Sequence, residues 1–148
     1  MSAMQLEYEK DFYYWINKNI ELLKLRNFAE LDIDNLIDEL ESMAKRDKRE
    51  LISRLMVLIA HLLKWQYQPN HQSSGWRGSI VEQRIKIGQQ LEDSPSLSRY
   101  LEESVMKAYP NALTLVEKET GVGADRLPQQ CPYSVEQLLD QDFYPVQS

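Results

Sequence analysis

The sequence predicts an all-α protein: a helical bundle of about four main helices, with one long central helix and a C-terminal tail packed across it. Three observations carry this. Apolar residues recur at three- and four-residue steps over most of the chain, the spacing that lines one face of a helix. The two-residue alternation of a half-buried strand is absent. Only 5 glycines occur in 148 residues, two of them close together at Gly121 and Gly123. That length suffices for one hydrophobic core, so a single helical domain is expected over residues 1–148, with its core in about 8–145.

The first helix is expected over residues 11–25. Phe12, Trp15, Ile16, Ile20 and Leu23 fall on one face, and Asp11 is placed to cap the first turn. Asn27 ends the run, and residues 28–31 form a connector. The second helix starts near Asp32 or Asp34, where carboxylates suit the positive end of the helix dipole. Its expected core face is Leu36, Leu40, Met43, Leu51, Leu55, Ile59 and Leu62. Residues 45–50 carry no apolar side chain, but the pattern resumes in phase seven residues after Ala44, so the helix is expected to continue unbroken.

Residues 69–75 are polar turn formers. A third helix is expected over residues 76–91, with Ile80, Ile87 and Leu91 inward and Val81 and Ile85 beside them. Ser94 and Pro95 then read as a cap followed by proline at the first helical position. They open a fourth helix through Leu97, Leu101, Val105 and Ala108. Pro110 is expected to kink or restart it, and Gly121 to stop it after Thr120. The tail holds one short helix, residues 134–139, with Ser134 and Gln137 at capping-box spacing.

Net charge is −6 and unevenly spread: residues 1–44 carry −6, residues 45–86 carry +6, and residues 87–148 carry −6. Such fields steer partners rather than set the fold. The acidic N-terminal ten residues lack the apolar run of a secretory signal. The longest nearly apolar stretch, residues 55–63, is too short to span a bilayer, so no membrane association is expected. One cysteine, Cys131, allows no internal disulfide. The cytoplasm is the expected location.

The residues offer little for catalysis. One cysteine and two histidines cannot build a four-ligand zinc site, and paired Glu-x-x-His motifs for a di-metal bundle are missing. There is no nucleophile elbow and no phosphate-binding loop. Cys131 reads as a small buried hydrophobe. No catalytic residue, metal ligand or cofactor is assigned, and an enzyme is the less favoured reading. His61 is the one candidate general base. It lies roughly 240° around the second helix from Leu55, near Arg54, Val57 and Trp65. It is expected to be a partly buried structural histidine bonded to a neighbouring helix.

Two surface readings remain. Glu30, Asp32, Asp34, Asp38, Glu39 and Glu41 place six carboxylates in twelve residues with no base among them. This exceeds what capping requires and suits the docking of a basic protein through Asp32, Asp34, Asp38 and Glu41. The alternative uses the basic middle, 45–86, as a nucleic-acid-binding module. Lys45, Arg46, Lys48 and Arg49 would neutralise phosphates, and Trp65, Tyr67 and Trp76 would stack bases. The flanking acidic segments oppose it.

Longer motifs point to a family. They are Asp11-Phe12-Tyr13 with Trp15, Glu30-Leu31-Asp32 with Asn35-Leu36-Ile37, and Arg49-Glu50-Leu51 with Ser53-Arg54-Leu55. To these add the run from His61 to Pro69, Trp76, Gln83-Arg84, the run from Leu91 to Leu97, and Cys131-Pro132-Tyr133. Together they resemble the bacterial domain-of-unknown-function family 29, over about residues 8–145. The resemblance implies an all-helical fold and no activity, and it transfers no catalytic residue. The chain departs from the pattern at Gly75 and Gly78 around Trp76, which is expected to loosen the start of the third helix. The expected function is therefore a non-enzymatic protein-binding domain. Its concrete version is an immunity or antitoxin-type inhibitor that docks a basic toxin nuclease through its acidic surface.

Overall fold

A computed structural model describes residues 3–146. The α-helices are α1 (Ala3–Lys10), α2 (Phe12–Lys24), α3 (Ile33–Tyr67), α4 (Ser74–Asp93), α5 (Leu101–Thr120) and α6 (Val135–Leu139). Short 3-10 turns connect most of them, and no strand occurs among the described residues. Helix α3 is unbroken through its charged run. By their internal contacts the residues fall into two compact units, Met1–Arg46 and Asp47–Ser148. The division falls inside residues 45–50, the stretch with no apolar side chain to bury.

In the first unit, Asp11 caps α2 as expected, its carboxylate accepting the Tyr14 N–H at 3.2 Å. The end of α2 is not made at Asn27. Arg26 takes the left-handed conformation, with φ 59. Its N–H donates to the Leu23 carbonyl, and the Asn27 N–H reaches back to that of Leu22 at 2.9 Å, a Schellman closure. Helix α1 was not anticipated, because it buries no residue and so carries no apolar stripe. It packs instead through one ring, Tyr8, whose centre lies 4.6 Å from that of Trp15 and 6.1 Å from that of Phe12 on α2.

The expected apolar faces of this unit are corrected. Trp15 is fully buried, but Phe12, Ile20 and Leu23 are exposed. So are Leu40 and Met43 of α3, at 63% and 56%, and Leu36 is half-buried. The face of α2 that turns inward carries Trp15 and the amide of Asn19. Hydrogen bonds, not a continuous apolar stripe, decide which side is covered.

The second unit has an ordinary core. Leu51, Leu55, Ile59 and Leu62 of α3 are buried as expected, together with Leu58 and Leu63. They pack with Ile80 and Ile87 of α4 and with Leu101, Val105, Ala108, Ala112 and Val116 of α5. Leu91 is half-buried, and Val81 and Ile85 are exposed.

Helix α4 starts earlier than expected. Ser73 caps it by accepting the Trp76 N–H at 3.1 Å, so Gly75 and Gly78 lie inside the helix and do not loosen its start. Pro95 opens a 3-10 turn through Tyr100 rather than an α-helix, and Ser94 makes no side-chain cap. Pro110 does not interrupt α5. The carbonyl it deprives of a donor, that of Met106, lies on an exposed side where water can take the bond. Gly121 closes α5 at φ 79, and the Ser134–Gln137 capping box forms as expected.

The Arg26 conformation generates a test. A residue with a Cβ costs about 1–2 kcal/mol in the left-handed region, and a β-branched one more. Arg26→Gly is expected to hold or raise stability by up to about 1 kcal/mol, and Arg26→Val to lower it, as read by chemical denaturation followed by tryptophan fluorescence. A Val variant as stable as the Gly variant would contradict the closure described.

Candidate functional site

The N-terminal half of α3 presents two unlike sides. One side is clasped within the first unit. The Trp15 indole N–H donates to Asp32 Oδ2 at 2.8 Å, and the Asn35 amide donates to the same oxygen at 2.8 Å and to Gln5 Oε1 at 2.7 Å. The fully buried Asn19 accepts the Asp32 N–H at 3.0 Å and donates to the Trp15 carbonyl at 2.9 Å. Tyr8 donates to Glu39 Oε1 at 2.6 Å, which pushes its phenol up to about 12, mainly through that bond. Each bond closes a buried or half-buried polar group that would otherwise cost on the order of 1–3 kcal/mol.

The other side is open. Ile33 is 53% exposed, Ile37 46% and Leu40 63%, and Ala44 is also exposed. These four lie at i, i+4, i+7 and i+11, which places them in one line along the helix. Asp34 and Glu41 border the line, with Asp38 just beyond. All three carboxylates are exposed, and no side-chain hydrogen bond or ion pair of the described residues engages them. Of the four carboxylates the sequence singles out, Asp34, Asp38 and Glu41 therefore share one surface. Asp32 is half-buried and bonded within the unit. The apolar line beside the carboxylates was missed because a three- to four-residue period reports a stripe, not whether the stripe is covered.

The basic and aromatic residues of the alternative reading do not form one cluster. Within the second unit, Lys48 and Arg49 precede Trp65 by ~26 Å of helix. The Lys48 ammonium sits 4.3 Å from the Tyr100 ring centre. Trp65 is half-buried and packs on Tyr144 at 5.1 Å, and Trp76 is covered by the Lys64 ammonium at 5.4 Å. Lys64 itself is buried and paired with Glu119. Tyr67 is half-buried at the edge of the core. Lys45 and Arg46 are exposed at the end of the first unit.

Burial keeps Tyr109, Cys131 and Tyr133 of the second unit in their protonated forms. A groove of ≈ 490 Å³ between α5 and the tail is lined in part by Tyr109, Cys131 and Tyr133. Burial pushes the Cys131 thiol up, and it donates to the Tyr133 carbonyl at 3.6 Å. Burial also holds Tyr109 up at about 12 and raises Tyr133, which donates to Gln66 Oε1 at 2.8 Å. The raised thiol and phenols are therefore not activated as nucleophiles at neutral pH. Among the described residues, no group of three or more His, Cys, Asp and Glu side chains could hold a metal ion. No helix of the described residues is long and apolar enough to cross a membrane.

The chain matches the family described as "Domain of unknown function DUF29" over residues 7–144. No curated protein and no solved structure matches it.

His61 is half-buried, and its Nδ1–H donates to the Val57 carbonyl of its own helix at 2.8 Å, not to a neighbouring helix as expected. Burial lowers its pKa below 6.5, so the fold favours the neutral ring. The unfolded chain therefore binds the proton first as pH falls, and stability is lost as pH drops through 6.5 towards the folded value. His61→Gln cannot protonate. It is expected to show a smaller fall in Tm between pH 7.5 and 5.0 than the parent, and an equal fall would contradict this account. At pH 7.5, His61→Ala is expected to cost about 1–3 kcal/mol through lost packing and its hydrogen bond.

Proposed function

The chain belongs to the DUF29 family, a domain of unknown function, and from its own residues we propose that it is a non-enzymatic protein-binding domain that docks a basic partner. One observation carries the reading: Asp34, Asp38 and Glu41 stand exposed and unpaired along one side of α3, beside apolar side chains that the chain does not cover. Soluble domains seldom leave a contiguous apolar strip open without a partner for it. Carboxylates at its edge speed the approach of a basic surface and select against acidic ones. The protonated Cys131 and the neutral, self-satisfied His61 also weigh against an enzyme. In its concrete form the partner is a basic toxin nuclease, and this chain is its immunity or antitoxin-type inhibitor. A single half-buried thiol suits a reducing compartment, which supports a role in the cytoplasm.

The test compares the chain with its charge-reversed variant, Asp34→Lys with Asp38→Lys and Glu41→Lys, as bait for proteins co-expressed from neighbouring genes. The parent is expected to retain a basic protein that added salt elutes, and the variant to lose it by tenfold or more. Retention of the same proteins by both baits, or of none at low salt, would remove the reading. If the partner is a nuclease, its activity should fall stoichiometrically as the parent is added and not as the variant is added.

A further inference from the structure

We propose that the partner element which docks on α3 is an amphipathic helix with basic residues along one flank, lying in the seam of Ile33, Ile37, Leu40 and Ala44. This rests on the protein-binding reading above and names the chemistry of its partner.

The spacing argues for a helix. Positions i, i+4, i+7 and i+11 alternate four- and three-residue steps, the 3.5-residue period at which one helix presents an unwavering line to another. The line extends over about 16 Å, roughly three turns, enough to seat an interacting helix of ten to twelve residues. Its members run from large to small, with Ala44 leaving room for close approach at one end. The clasp on the opposite side of the helix makes this arrangement rigid. Asn35 and Glu39 are bonded to Gln5 and Tyr8, so α3 cannot roll to bury the seam without breaking those bonds.

The flanks argue for the sign of the partner. Asp34 and Glu41 occupy the same heptad position, directly after the seam residues Ile33 and Leu40. Leu36 and Met43 occupy the corresponding position on the other flank. A docked helix thus meets two carboxylates along one edge and two apolar side chains along the other. Lysines or arginines along one edge and leucine-like residues along the other complete it. A second copy of this chain does not fit. Antiparallel, the two carboxylate edges would face one another. Parallel, each carboxylate edge would be pressed against Leu36 and Met43 and stripped of water without a counter-charge.

The test uses the whole chain and three synthetic peptides of equal length: an amphipathic helix with leucine in the seam positions and lysine on one flank, the same residues scrambled to destroy the period, and oligolysine. Binding is followed by fluorescence anisotropy, and helicity of each variant by circular dichroism. The amphipathic peptide is expected to bind at least tenfold tighter than the other two and to weaken as salt is raised. Ile37→Asp with Leu40→Asp, both at exposed positions, is expected to weaken it at least tenfold with helicity unchanged. Asp34→Lys with Glu41→Lys is expected to weaken it several-fold and to flatten the salt response. Equal binding of oligolysine, unaffected by the Ile37 and Leu40 changes, would overturn the helix and leave acidic docking standing. Amphipathic binding unaffected by the Asp34 and Glu41 changes would overturn both. A dimer in sedimentation that Leu40→Asp converts to monomer would show a second copy in the seam and overturn the proposal.

Discussion

The first unit depends on which side of α3 is hydrogen-bonded. Asn19 has no solvent exposure, and both ends of its amide are engaged, one by the Asp32 N–H and one by the Trp15 carbonyl. This fixes where the chain enters α3. Asp32 then gathers the Trp15 indole and the Asn35 amide on a single carboxylate oxygen. With those bonds made, the polar side of the helix faces α1 and α2 and the apolar side faces out. Rotating the helix to bury Ile33, Ile37 and Leu40 would gain roughly 1.5–3 kcal/mol for each side chain fully covered. It would also strand several buried polar groups, each at a cost of similar size. The covered side is therefore polar, and the exposed apolar line is its direct consequence.

The second unit solves the opposite problem. Its core is apolar and contiguous, and buried cations pin the elements that the core alone would leave free to shift. Arg84 is almost fully buried and donates to the Leu138 and Gln137 carbonyls, at 2.9 and 3.1 Å, which α6 cannot satisfy at its own C-terminal end. The guanidinium lies 5.5 Å from the Tyr144 ring centre, so one side chain anchors both α6 and the residues after it. Its Nη1 has no partner among the described residues. The pair Lys64–Glu119 joins α3 to α5. Gln90 donates to the Asp47 carbonyl at 2.7 Å and accepts from Arg54 at 2.9 Å, joining α4 to the start of this unit's share of α3. Removing one partner of such a buried pair would leave the other polar group uncompensated, so each contact holds the geometry it closes.

The contrast between the units bears on function. The second unit keeps its aromatic rings in contact with its own cations and tail, which leaves few of them free for a ligand. The first unit turns Asn19, Asp32 and Asn35 inward and leaves an apolar line with Asp34, Asp38 and Glu41 outside. On the protein-binding reading proposed above, such a surface would bind by excluding water from a shared apolar line, with charge at the rim setting the partner and the rate of approach.

The sequence by itself determined the class and most of the elements. Spacing gave the long α3 and its continuity through residues 45–50, and local chemistry gave the caps at Asp11, Gly121 and Ser134. These are short-range effects, closed within one or two turns, so the residues that cause them are adjacent in the chain. The tertiary structure alone decided which stripes are buried. Leu51 and Leu40 carry the same periodic signal, yet Leu51 has no exposure and Leu40 has 63%. It also decided that Asp32 bonds inward while Asp34, Asp38 and Glu41 do not, and that Arg26 rather than Asn27 turns the chain. Burial and long-range hydrogen bonds depend on what other elements supply, as Asn19 supplies for Asp32 thirteen residues away, and a periodic pattern carries no record of its partner.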